Sequence, residues 1–226
     1  MRRGPREWAR QTWEAVQFRR HPPDWDVVLT DELAFGDEGV VAFEELLAGA
    51  SSYLEFGSGA STLAAARAGV PLVTVESDSA FLNAVETRCQ AIAGEDAPSS
   101  MTFVRANIGP TGPWGKPVLP SVQRPRRWRN YPSAPWDQLG ADYRADAVLV
   151  DGRFRVACAL SVVLHQPDVE WTILVDDYEG RSHYEAVEDF ARLVERKGRM
   201  ARFAPMPRVD RRSLESAMIK YTSDWR

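Results

Sequence analysis

YLEFGSGAST, residues 53–62, passes from an apolar strand into a glycine-rich turn and then into an alanine-rich helix. Glycines at such a turn let backbone N–H groups face a ligand with no Cβ in the way, and the helix N-terminus behind them favours a nucleotide-like occupant. About twenty residues on, Glu76 ends the next strand, VTVE, where a carboxylate can accept hydrogen bonds from the cis hydroxyls of a ribose. Strand, turn, helix, strand and acidic end together point to an adenosine cofactor. A glycine turn alone would only close a tight connection.

Outward from this stretch, short apolar runs alternate with amphipathic segments: SSYLEF, STLAAARA, PLVTVES, AFLNAVETRCQAI, MTFVRANI, ADAVLVDG, FRVACALSVVL, WTILVDD and HYEAVEDFARLVE. Strands alternating with helices predict a mainly parallel sheet. VTV, AVLV and TILV are continuously apolar, as befits strands covered by helices on both faces, so the arrangement is doubly wound α/β. RMARFAPM and SAMIKYTSDW suit antiparallel strands at the end of the sheet. Upstream, DEGVVAFEELL (37–47) has a helical period with acidic residues at its start, and REWARQTWEAVQ sets Trp8, Trp13 and Val16 on one helical face before HPPDW breaks it. Residues 1–44 are therefore expected to be a helical extension packing on a 45–226 domain.

The 226-residue chain is 44% hydrophobic, 27% charged and 10% aromatic, a globular composition for one domain. A formal net charge of −4 speaks against nonspecific coating of nucleic acid. Cys89 and Cys158 lie in helical segments, as buried hydrophobes do, so neither a disulfide framework nor a cysteine metal site is expected. The basic start has no apolar run behind it and no stretch has the length of a membrane span, so a cytoplasmic location without membrane partners is the expectation.

With Glu55 closing the first strand before G-x-G, and Glu76 closing the second, the chain resembles the class I S-adenosylmethionine-dependent methyltransferases over roughly residues 45–223. The resemblance implies a Rossmann-like, seven-stranded, mostly parallel sheet with an antiparallel C-terminal strand. It implies that Glu55, Gly57, Ser58 and Gly59 contact the amino-acid part of the cofactor and Glu76 its ribose, with Ser77 and Asp78 flanking. Asn107 would take the adenine region, and Asp151 would complete the cofactor set. A dinucleotide-binding oxidoreductase is the rival, but Thr62 stands where its fingerprint has a third glycine. A noncatalytic module keeping the cofactor fold for assembly or regulation is a further alternative.

Two more strand ends, VLVDGRFR (148–155) and ILVDDYEGR (173–181), reach the crevice where open α/β sheets bind ligands. Methyl transfer to an alcohol or amine needs alignment and removal of a proton, so Asp151 is the first candidate base, with Asp177 and His183 beside it. Metal-dependent O-methyltransferases look similar here, which implies Mg²⁺ or Ca²⁺ on Asp151, Asp176 and Asp177, although this chain has Asp-Asp where they have Asp-Asn. Alternatively Asp151 caps the following helix, and Asp176 or Asp177 pairs with Arg153, Arg155 or Arg181. These three arginines and Tyr178 are candidates to hold a small, anionic acceptor. His21 and His165 lack a second ligand at metal spacing.

Residues 109–140 carry seven prolines and three tryptophans and read as a long insertion loop. Its Trp114-Gly115 and Pro135-Trp136 pairs suit a lid over the cofactor or a homodimer contact. Its RPRRWRN run, with Arg124, Arg126, Arg127 and Arg129 around Trp128, could stack a base, but the acidic total argues against a nucleic-acid substrate.

Overall fold

The computed structural model describes residues 28–94, 100–117 and 125–225. The proposed helical face of Trp8, Trp13 and Val16, together with His21 and Arg124, lies outside these residues.

Four four- or five-residue runs, β1 (Tyr53–Phe56), β2 (Leu72–Glu76), β4 (Ala147–Val150) and β5 (Thr172–Val175), form the sheet centre, mostly apolar and buried almost throughout, as strands covered on both faces are. With β3 (Met101–Arg105), β6 (Arg192–Lys197) and β7 (Met200–Ala204) they make a seven-stranded sheet of order β3-β2-β1-β4-β5-β7-β6. Strands β1 to β5 are mutually parallel, whereas β7 runs antiparallel to both β5 and β6. The register pairs Phe56 with both Val75 and Val150, and Val150 with Val175. The carboxyl ends of the central strands are therefore flush. Strand order reverses between β1 and β4, the position at which such sheets open a ligand crevice.

Residues of helices α1 (Gly36–Ala48), α2 (Ala60–Arg67) and α3 (Ser79–Ala93) form one core with Tyr53, Leu72 and Leu149. Residues of α5 (Asn130–Leu139), α6 (Arg155–His165) and α7 (Arg211–Tyr221), with the short α4 (Pro125–Trp128), form the other core around Leu54, Phe56, Val148 and Val150. The doubly wound prediction holds. Helix α1 buries Ala42, Phe43, Leu46 and Leu47, so the expected boundary at residue 44 falls inside a helix. Cys89 and Cys158 are free and buried, one in each core.

Two expectations are corrected. The antiparallel partners are RLVERK and MARFA, joined by Gly198 at φ +57, whereas SAMIKY is helical. The reason is spacing: Leu214, Ala217, Met218 and Tyr221 recur every three or four residues, and Asp210 caps Ser213. Likewise, residues 125–139 of the expected loop are largely helical. Pro132 lies in the first turn of α5, where its missing N–H costs nothing, and Pro135 is tolerated because its helix is fixed by buried Tyr131 and Trp136. Trp136 packs on Phe56 and stacks on His165 at 4.2 Å, and Trp128 packs on Phe154. These two tryptophans are core residues, neither lid nor nucleic-acid platform.

Candidate active site at the carboxyl ends of the central strands

Between β1 and β2 the turn is held by the sheet's own ladder, since Gly57 N–H donates to Val75 O at 2.9 Å. Gly57 has φ +104, and a Cβ there would stand 2.6 Å from both N and Cα of Gly152. From the other side, Gly152 N–H donates to Phe56 O at 2.6 Å, and its own missing Cβ leaves room for Tyr131 Oη. The two glycines thus bring the ends of β1 and β4 into backbone contact. Gly59 differs: a Cβ on it would meet nothing within 4 Å, so the open side of the turn begins there.

Glu55 does not face this opening. Strand alternation places it with Tyr53 on the α2 side, fully buried, and its carboxylate accepts hydrogen bonds from Ser61 Oγ, from Thr62 Oγ1 at 2.5 Å and from Thr74 Oγ1 at 3.2 Å. Burial outweighs these bonds and pushes its pKa up to about 7. Thr62 also receives Gly59 N–H at 2.9 Å, and Ser58 Oγ bonds Thr74 Oγ1 at 2.8 Å. Glu55 is a scaffold for the turn, in place of the cofactor contact that the resemblance implied.

Glu76 is at the end of β2, where the sequence puts it. Its Oε1 accepts Ser77 N–H at 2.5 Å, Ser77 Oγ at 3.0 Å and Asp78 N–H at 2.8 Å, and nothing among the described residues bonds to Oε2. Burial lifts its pKa against the pull of those amides. Ser77 is thus a support for Glu76. Asp78 is the N-cap of α3, accepting from Ala80 and Phe81 N–H. Asn107, after β3, accepts Gly109 N–H at 3.1 Å on its side chain and Asn130 Nδ2 on its carbonyl. Over Glu76 lies a hairpin absent from the sequence reading, closed by Gly112 N–H to Lys116 O at 2.8 Å and a bridge between Thr111 and Pro117. A Cβ at its Gly115 would be 3.1 Å from Ser77 Oγ, 3.7 Å from Glu76 Oε1 and 3.8 Å from Arg153 Cγ. Trp114 at its tip is 83% exposed.

At the ends of β4 and β5 a single guanidinium organises the acids. Arg155, 4% exposed, donates from Nε to Gly152 O at 3.1 Å, from Nη1 to Asp176 O at 2.7 Å and Asp177 Oδ2 at 2.8 Å, and from Nη2 to Asp151 O at 2.8 Å and Oδ1 at 3.0 Å. All its donors are spent. It therefore cannot grip an acceptor, and its expected substrate role gives way to a structural one. Tyr178 is buried as well, donating to Glu188 at 2.6 Å. Arg181 bonds Asp177 Oδ2 at 2.8 Å and Tyr184 Oη at 3.1 Å.

Asp176 is fully buried and takes both oxygens' bonds from Arg199, at 2.7 and 2.6 Å. Sequence reasoning missed Arg199, although KGR between alternating strands marks a hairpin turn that can return to a neighbouring strand end. Asp177, in the left-handed region at φ +53, meets Arg155, Arg181 and Arg199; burial raises its pKa, but these cations outweigh it and hold the carboxyl low. An acid held ionised by three guanidiniums is a poor proton acceptor. Asp151 is the contrasting case. Its side chain is 31% exposed, and burial, with the Asp176 carboxylate beside it, raises its pKa well above the ordinary value against the pull of Arg155. It does not cap α6, whose N-cap is Phe154. His183 stands edge-on to Tyr184 at 4.5 Å.

The cations that compensate these aspartates are arginines, and among the described residues no group of three His, Cys, Asp or Glu side chains is arranged to hold a metal ion. The Mg²⁺ or Ca²⁺ site implied by the second resemblance does not fit. Among the described residues Arg155, Arg181 and Arg199 are in ion pairs and Arg153 is in none, and its Nε is buried without a hydrogen-bond partner. No helix among the described residues is long and apolar enough to cross a membrane.

No family model matches the chain, and no curated protein matches it. Among solved structures it is similar to the crystal structure of a methyltransferase-like protein from Silicibacter pomeroyi DSS-3, with 33% identity, 85% of this chain and 97% of that chain covered, and a TM-score of 0.76.

Proposed function

The chain belongs to the family of this methyltransferase-like protein, and from that premise we propose that it transfers a methyl group from S-adenosylmethionine to a small, anionic acceptor through oxygen or nitrogen. The observation that carries the reading is Glu76: a carboxylate at the end of β2, aimed by Ser77 and Asp78 through one oxygen, with the other left for a ribose diol. The residues fit an adenosine ligand at two further points. Gly59 leaves open space beside the turn, and Asn107 lies at the end of the next strand. When bound, the cofactor's sulfonium supplies an electrophilic methyl.

The chain's own part is positioning and proton removal. Asp151 is the proposed base, because a raised pKa brings a carboxylate nearer to that of the proton it must take. Arg155 fixes its carboxylate through Oδ1, and His183 is kept as a second candidate at the same strand ends. A nicotinamide dinucleotide is disfavoured because Gly59 N–H is spent on Thr62, whose side chain fills the place of a third glycine. The proposed location is the cytoplasm.

The test is turnover. Incubation with methyl-labelled S-adenosylmethionine and a panel of small carboxylic acids, phenols and amines is expected to release S-adenosylhomocysteine. Asp151→Asn is expected to slow release at least a hundredfold while keeping cofactor affinity within threefold, as loss of a general base does. Cofactor binding with no turnover on any acceptor would favour a noncatalytic module.

A further inference from the structure

Three carboxylates at the ends of β4 and β5 are matched by three guanidiniums: Arg155 on Asp151 and Asp177, Arg181 on Asp177, and Arg199 on Asp176. Arg153 is a fourth cation in the same crevice; it feels the Asp151 carboxylate but forms no ion pair among the described residues. It is partly buried, and its Nε is sealed from solvent without a hydrogen-bond partner. Burial, and then the neighbouring Arg155, lower its pKa, so the protein bears a cost for keeping a charge there. Stability alone does not explain this. A buried Nε–H without a partner is unfavourable, whereas a ligand oxyanion meeting the guanidinium's planar edge would form charge-assisted hydrogen bonds.

We propose that Arg153 is the specificity-determining residue that reads an oxyanion, carboxylate or phosphate, on the methyl acceptor. The assignment rests on the methyltransferase reading above. Arg153 follows the proposed base Asp151 by two residues, and its Cγ faces the Gly115 hairpin that also covers Glu76 and Ser77. Acceptor and cofactor therefore meet beneath one roof, with the acceptor's negative group on Arg153 and its nucleophile toward Asp151. Arg155, with every donor spent, contributes none of this recognition.

The experiment is calorimetric titration of the full chain, saturated with S-adenosylhomocysteine, with benzoate and separately with inorganic phosphate. At least one anion is expected to bind saturably to wild type and at least tenfold more weakly to Arg153→Gln, with partial recovery in Arg153→Lys. Which anion binds distinguishes carboxylate from phosphate. The affinity of Arg153→Gln for S-adenosylhomocysteine is expected to stay within twofold of wild type, and its melting temperature to be unchanged or raised. Equal anion binding by wild type and Arg153→Gln, or none by either, overturns the proposal. So does a tenfold loss of S-adenosylhomocysteine affinity in Arg153→Gln, which would give the guanidinium to the cofactor's own carboxylate. Failure of wild type to bind S-adenosylhomocysteine overturns the cofactor reading instead, and the same titrations on the free chain then decide Arg153.

Discussion

Substituting Gly57 by alanine separates a packing glycine from a ligand glycine. Its φ of +104 is unfavourable for any residue with a Cβ, and the added methyl would lie 2.6 Å from Gly152 N and Cα, backbone atoms that cannot swing away. Left-handed strain costs an L-residue roughly 1–2 kcal/mol, and overpacking a filled site costs roughly 1–3 kcal/mol. Gly57→Ala is therefore expected to lose about 3 kcal/mol. For a chain of this size that is a fall in melting temperature of about 9 °C, at roughly 3 °C per kcal/mol. Gly59→Ala is the matched control: its added methyl meets nothing within 4 Å and its φ of 164° is extended backbone, so stability is expected to be unchanged while cofactor affinity falls. Thermal unfolding followed by circular dichroism reads both. A Gly57→Ala chain as stable as wild type would refute the close approach of β1 and β4 and the reasoning built on it.

Glu55, raised to about 7 from 4.5, holds its proton in the folded chain while the unfolded chain releases it. Its contribution to stability is thus complete below pH 4.5 and is lost as pH rises toward 7, by up to about 3 kcal/mol; urea unfolding from pH 4.5 to 8 is expected to show that slope in wild type and a flatter profile in Glu55→Gln. Arg155→Leu strips the common cation from Asp151 and Asp177 and is expected to cost about 3–5 kcal/mol, read by the same unfolding assay, whereas an unchanged midpoint would return Arg155 to the substrate. Trp136→Ala is expected to lose about 3–5 kcal/mol as a buried aromatic does, and a variant of unaltered stability that binds cofactor poorly would restore the lid role.

The strands were legible because continuous β-branched runs have few other uses, and the ends of β2 and β4 put Glu76 and Asp151 where the sequence implied. The Glu55 contact departs from the resemblance although parity carries the signal: between Leu54 and Phe56, which face α5 and α6, it must face α2, where Ser61 and Thr62 stand in the first turn of the helix. Prolines at 132 and 135 hid helix α5, since local propensity does not register the burial of Tyr131 and Trp136 that holds it. The pairings that decide the electrostatics join residues far apart in sequence. Arg199 reaches from the β6–β7 turn to Asp176 at the end of β5, and Gly152 meets Gly57 only once β1 and β4 are adjacent. No local pattern specifies such contacts; they follow from strand order.

The most direct test of the account is calorimetric titration of wild type and Glu76→Ala with S-adenosylmethionine and S-adenosylhomocysteine, with NAD as the control. The account predicts micromolar binding of both sulfur ligands to wild type, a loss of at least tenfold in Glu76→Ala, and no binding of NAD. No binding of either sulfur ligand to a folded wild-type chain, or equal binding by the variant, would contradict it.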